Sequence, residues 1–183
     1  MTTKARATIK DLERIPENGK AELVGGKIVR IMPTGDKPNR AVGAIYVSLR
    51  MYEKLGGGGR AYSDNAGFLV RLPNRESFSP DAAWYEGPST GMRFLAGAPA
   101  FAVEVRSEND YSVKAEQDLA EKRRDYFAAG TRVVWDVDLL SKDVVKVYRY
   151  TDPGNPIIYR RGDLAEAEPA VPGWRMPADD LFG

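Results

Sequence analysis

The chain has 183 residues, 43% of them apolar, with 27 Lys+Arg against 26 Asp+Glu and a formal net charge of +1. That is the length of one ordinary domain, residues 1–183, and the mixture is apolar enough to bury a core, which excludes wholesale disorder. Cysteine and histidine are both absent, which excludes disulfides, Ser-His-Asp and Cys-His nucleophile systems, and zinc sites built on thiolate or imidazole. A metal here must be held through oxygen, which points to magnesium, calcium or manganese.

No segment approaches the roughly 18 consecutive apolar residues of a membrane span. Met1–Lys10 carries charges with no apolar stretch behind them, unlike a signal peptide, so a cytoplasmic protein is expected. The near-neutral net charge argues weakly against a nucleic-acid binder, but the charge is unevenly spread. Residues 1–75 hold 14 Lys+Arg and 7 Asp+Glu, a net of +7, and the remaining 108 hold 13 and 19, a net of −6. A basic N-terminal part could present DNA to acids in the C-terminal part; chance imbalance on solvated faces is the alternative.

In chain order, Thr8 is a plausible N-cap for a short helix through Ile15, stopped by Pro16. Ala21–Val24 and Lys27–Ile31 flank Gly25-Gly26, the pattern of a β-hairpin. Ala41, Ala44, Ile45, Ser48, Leu49 and Tyr52 recur at amphipathic helical spacing before the run Gly56–Gly59. That run has no Lys-Ser/Thr behind it and opens no helix, so it is a helix stop and hinge rather than a phosphate loop. Ala66–Leu72 predicts a strand, Pro73-Asn74 a turn, Asp81–Tyr85 a short strand, Gly87–Pro99 loop, and Phe101–Val105 a strand. A helix from about Ser112 to Ala129 follows, with Gly130 as its stop. Val133–Val137 is a β-branched and aromatic strand, Val144–Tyr150 and Ile157–Arg161 are antiparallel strands, and the tail from Pro169 is an irregular cover. This order predicts an α+β or mixed α/β domain with a central sheet between helices. The glycine fingerprint of a doubly wound nucleotide-binding fold is missing.

Two acids carry the chemical signal. Asp81 follows Pro80 at the start of an apolar strand, where an Asp can simply end the strand with a hydrogen bond. Glu104 interrupts Phe101-Ala102-Val103-Glu104-Val105, so it either faces solvent, the ordinary explanation, or is buried with a partner. If the two strands are neighbours and both side chains share a face, the pair can hold a divalent cation that activates water and neutralises phosphate charge. A nearby lysine would stabilise the more negative transition state.

Ser79-Pro80-Asp81, Val103-Glu104-Val105 followed by Ser107, Lys122 four residues before Tyr126, Gly130, and Val134-Trp135-Asp136-Val137-Asp138 together resemble the Uma-two family. These small bacterial proteins are assigned to the PD-(D/E)XK, or restriction-endonuclease-like, superfamily. The hairpin Glu22–Val29 and the ending Val171-Pro172-Gly173-Trp174 with Leu181-Phe182 extend the resemblance over nearly the whole chain. Gly25 stands where the family often has Asp, and Arg106 stands where the wider superfamily has its lysine, two residues after the second acid.

The resemblance implies a central mixed sheet flanked by helices, and a Mg2+-dependent endonuclease, with Mn2+ as a substitute, acting on nucleic acid and on DNA in the first place. It implies that Asp81 and Glu104 bind the metal, that the Val105 carbonyl contributes, that Lys122 is the relocated lysine, and that Glu22 helps to orient the metal's water. Arg106 stays protonated, so it could stabilise charge but not act as a base. Periodicity alone does not select Lys122: it lies in Lys122-Arg123-Arg124, and Arg123 is nearer the middle of the apolar stripe. A homodimer is compatible with the fold. A different class of function, a nuclease-fold DNA-binding or protein-interaction module without cleavage, is the alternative, and hydrolysis of a small phosphoester is a third.

Trp84 and Trp135 are expected in the core rather than as base-stacking platforms, with Trp174 open. Tyr148 and Tyr150 mark a sheet face or a dimer edge. Glu108, Asp110, Glu116 and Asp118 are expected to be solvated near a helix start.

Overall fold

The computed structural model describes residues 6–15 and 19–183. Pro16, the expected stop of the first helix, and residues 1–5 of the charged N-terminal segment lie outside the described residues. Helix α1, Ile9–Glu13, opens with a reciprocal cap: Asp11 Oδ2 accepts from the Thr8 N–H at 2.8 Å, while Thr8 Oγ1 accepts from the Asp11 N–H. It ends two residues before the expected Ile15. Strands β1, Ala21–Val24, and β2, Lys27–Arg30, form the expected hairpin. Gly25 and Gly26 both take positive φ, 56° and 74°, as a two-residue turn of this hand requires.

Helix α2 runs over Asp36–Lys54, five residues earlier than the apolar periodicity begins. Pro38 is admitted because it sits in the first turn, where a helix needs no N–H. Strand β3, Arg60–Tyr62, is followed by the hairpin β4, Phe68–Leu72, and β5, Arg75–Phe78. Then come β6, Ala82–Tyr85, the two-residue β7, Leu95–Ala96, parallel to β4, and β8, Phe101–Val105. Helix α3, Val113–Ala128, is capped by Ser112. Strands β9, Val133–Val137, β10, Val145–Arg149, and β11, Asp152–Tyr159, follow. The tail is more regular than expected: β12, Leu164–Glu166, pairs with β13, Arg175–Pro177, and a 3-10 turn spans Ala178–Phe182.

The main sheet has the order β11-β10-β9-β8-β6-β3. Only β8 and β9 run parallel; the other pairs are antiparallel, so the fold is mixed α+β. Alternation along the strands divides the core in two. On one face Ala82, Trp84, Phe101, Val103, Val133 and Trp135 pack against Ile45 and Leu49 of α2 and against the tail. On the other, Ala83, Ala102 and Val134 meet Tyr126 of α3 and Phe68 and Phe78 of the β4–β5 hairpin. Among the described residues no helix is long and apolar enough to cross a membrane.

All three tryptophans are core residues. Trp174, the one the sequence leaves open, packs 5.2 Å from Trp135 and 5.7 Å from Phe101, and its indole N–H donates to Ser48 Oγ at 3.0 Å. Tyr148 lies under the Arg123 guanidinium, 3.7 Å from the ring centre, whereas Tyr150 is exposed.

The glycine run does more than stop α2. A side chain at Gly59 would put its Cβ 2.5 Å from Trp84 Nε1, so this backbone lies flat against a buried indole. The run is a cradle for Trp84 as well as a helix stop. Gly59→Ala is therefore expected to destabilise the fold by about 1–3 kcal/mol, an overpacking cost, read as a lower urea midpoint at unchanged slope.

Candidate active site

The parity that sorts the core also brings the acids together. Ala82 pairs with Val103 and Ala83 with Ala102, so Asp81, just before β6, meets the Glu104 end of β8 on the α3 face. Asp81 is pinned to that strand, because its Oδ2 accepts from the Val105 N–H at 2.7 Å. Glu104 does not face solvent, the ordinary expectation for an acid in such a strand. Its side chain is only 16% exposed. Tyr126 donates its hydroxyl to Oε1 at 2.7 Å, and Lys122 Nζ lies 2.9 Å from the carboxylate.

Lys122 and Tyr126 sit one helical turn apart on α3 and therefore reach the same carboxylate. Lys122 Nζ also lies 2.9 Å from Glu22 Oε1. Arg123, favoured by periodicity, points elsewhere, onto Tyr148. Arg106 is fully engaged away from the acid pair: its Nε and Nη2 donate to the two oxygens of buried Asp136 at 2.7 Å each, and it forks to Glu116. Glu116 is thus an ion-pair partner, not merely a solvated acid.

Glu22, in β1, is nearly inaccessible and held from three sides. The Ser79 N–H donates to Oε1 at 2.8 Å, Arg75 Nη1 to Oε2 at 2.6 Å, and Lys122 completes the set. Arg75 simultaneously donates from Nε to Asp125 Oδ2 at 2.8 Å, and Asn74 Nδ2 donates to Asp125 Oδ1 at 2.9 Å. On the opposite flank Lys20 Nζ bridges Asp81 Oδ1 at 2.7 Å and Asp64 Oδ1 at 2.6 Å. Sequence reasoning missed Lys20, Asp64, Arg75 and Asp125, since their partners lie up to 61 residues away in sequence. The polar string Asn74-Arg75-Glu76-Ser77, sitting where a core strand belongs, was the available signal.

Burial and charge set the protonation states. Burial pushes the Glu22 carboxyl up, but Lys122, Arg75 and the Ser79 N–H outweigh it and hold the group below the usual carboxylate range. Glu104 goes the other way: burial raises it, Lys122 pulls it down, and the nearby Asp81 and Glu22 charges push it up again, for a net rise. Burial disfavours the Lys122 ammonium, yet Glu104 and Glu22 more than offset this, so it stays protonated at neutral pH. Lys20 follows the same balance, held up chiefly by Asp81 and Glu104 against its burial.

A divalent cation fits this donor set. Five carboxylates, Glu22, Asp64, Asp81, Glu104 and Asp125, are linked to three cations, Lys20, Arg75 and Lys122. The difference, two negative charges, is what a divalent ion would neutralise. Among the described residues no three acids are grouped as a ligand set. Asp81 and Glu104 are the two acids that share a sheet face across β6 and β8, and one or two carboxylates with water and phosphate oxygens are what magnesium prefers.

The sequence matches the profile of the Uma2 family, described as "Putative restriction endonuclease", over residues 8–179. The chain belongs to the Uma2 family. No curated protein sequence matches this member. Among solved structures it is similar to "a putative nuclease belonging to DUF820" from Anabaena variabilis, with a TM-score of 0.73 at 20% identity, covering 96% of this chain and 97% of that one. At that identity the likeness shows the fold alone, a mixed central sheet flanked by helices.

Removing the central cation of the Glu22 cluster is expected to be costly. Arg75→Met would leave two buried carboxylates short of a counter-charge, a loss of about 3–5 kcal/mol. Chemical denaturation that shows less than 1 kcal/mol of change would mean that the cluster does not compensate Glu22 as described.

Proposed function

We propose that this Uma2 protein is a Mg2+-dependent endonuclease, one domain acting in the cytoplasm, that hydrolyses phosphodiester bonds in nucleic acid, with DNA as its substrate. The observation that carries the reading is the meeting of Asp81 and Glu104 on one sheet face with the Lys122 ammonium against Glu104. Asp81 and Glu104 would hold Mg2+ or Mn2+, with the Val105 carbonyl as a further oxygen donor. Such an ion, when bound, lowers the pKa of water and offsets charge on a phosphate.

The chain's own residues supply the rest. Lys122 is a fixed positive charge and not a base, because its two acidic neighbours keep it protonated. Its role is to stabilise negative charge gathering on the phosphate. Glu22, held on three sides, keeps Lys122 oriented toward Glu104 and cannot itself swing away. Tyr126 remains a neutral donor, its phenol raised by burial and by Glu104, and fixes the Glu104 carboxylate. The second reading, a nuclease fold that binds without cleaving, is favoured by one observation: both metal-site acids already carry lysine partners.

Cleavage of plasmid DNA in Mg2+ or Mn2+ decides between them. Asp81→Ala is expected to abolish metal-dependent cleavage with the fold intact, and Lys122→Met to lower kcat by about 10²–10³-fold. Retained cleavage in well-folded Asp81→Ala protein would refute the assignment.

Metal binding should also depend on pH with a defined sign. Protons compete with the ion at Glu104, whose carboxyl lies above the usual range because of burial and neighbouring acids. Affinity is therefore expected to weaken as pH falls, beginning at a pH where ordinary glutamates are still fully ionised. Calorimetric titrations across the acid range check this, with Glu104→Ala as the control that should not bind.

A further inference from the structure

Two lysines reach the acid pair, and they are held differently. Lys122 is backed by Glu22, a buried carboxylate that is itself immobilised by Arg75 and the Ser79 N–H. Lys20 is backed by Asp64, whose side chain is 42% exposed and which follows β3 at the edge of the sheet. The Lys20 side chain is only 11% exposed, and its ammonium lies 2.7 Å from Asp81 Oδ1. That oxygen is one that a cation bound to Asp81 could use, the other already accepting one hydrogen bond from the Val105 N–H.

Lys20 and a divalent ion cannot share this oxygen at full strength. Magnesium binds carboxylate oxygen at about 2.0–2.1 Å, and two cations so close repel each other. Lysine is suited to giving way: it is a compact point charge on a flexible stem with three N–H donors. Because Asp64 holds a second donor, leaving Asp81 does not strand the ammonium without a counter-charge.

We propose that Lys20 is a built-in counter-ion that competes with the divalent cation for Asp81 and, once displaced, is retained by Asp64 at the rim of the site, where it holds a phosphate oxygen of the substrate. This rests on the metal-dependent phosphodiesterase reading above. Lys20 is thus a substrate-binding residue in the loaded protein and a placeholder in the empty one. Asp64 is a positioning residue that acts through Lys20.

The test is calorimetric titration of the full chain with Mn2+, without nucleic acid. Lys20→Met is expected to bind Mn2+ about tenfold tighter than wild type, because the competing charge is gone. Asp64→Asn should bind several-fold weaker, because Lys20 then has Asp81 as its one direct ion-pair partner among the described residues. The double variant should bind as tightly as Lys20→Met, since Asp64 acts only through the lysine. A Lys20→Met affinity equal to or below wild type overturns the proposal, and so does a double variant weaker than Lys20→Met, which would make Asp64 a ligand in its own right.

Binding of a short DNA duplex in Ca2+ gives the second readout. Lys20→Met should weaken it and reduce the magnitude of the salt slope by about 1, as loss of one phosphate contact does. An unchanged slope overturns the phosphate role. If neither wild type nor Lys20→Met binds Mn2+, even with the duplex present, the metal reading itself fails. If wild type binds and Glu104→Ala does not, that reading stands while the behaviour of Lys20→Met decides the proposal alone.

Discussion

A carboxylate inside a protein must find a counter-charge or give up its own, and Glu22 is where this fold meets that demand most sharply. Its position ties β1 to the β4–β5 hairpin through Arg75, to the turn before Asp81 through the Ser79 N–H, and to α3 through Lys122. Those segments carry or adjoin Asp81, Arg75 and Lys122, and Lys122 in turn reaches Glu104 on β8. Burying a lone ion would cost several kcal/mol. The network avoids that cost only while all three elements are in register, so the site's electrostatics and the packing of this end of the molecule are one problem.

The two acids of the pair were readable because they break local rules. Glu104 interrupts an apolar strand and Asp81 begins one, so each asks for a reason. Which face they share follows from strand parity, and parity needs only the order of residues. Lys122 was legible only through family likeness: the periodicity of α3 favours Arg123, which is drawn instead to the ring of Tyr148. Helices distribute long cationic side chains by what lies opposite them, and what lies opposite is a property of the folded sheet.

The illegible parts share a physical cause. Strand β5 has a polar string in place of the apolar alternation that betrays a strand, because Arg75 and Ser77 face buried acceptors or donors instead of solvent. Arg75 finds Asp125 50 residues on, and Lys20 finds Asp81 61 residues on. Spacing rules reach only a turn or a hairpin, so such partners are invisible to them. The tail is hard to read for a similar reason: Trp174 closes over Trp135 and Phe101 from a short irregular segment whose order comes from what it covers.

The two ends of the main sheet have a consequence for how copies of the protein could meet. An open sheet edge is a template on which another chain can add a strand, the usual start of unwanted aggregation. Here one edge is β3, only three residues long, and the other is β11, which carries Pro153 and Pro156 and so lacks two backbone donors. The first offers too short a row of N–H groups, and the second an interrupted one. Strand addition at either margin of the main sheet is therefore disfavoured.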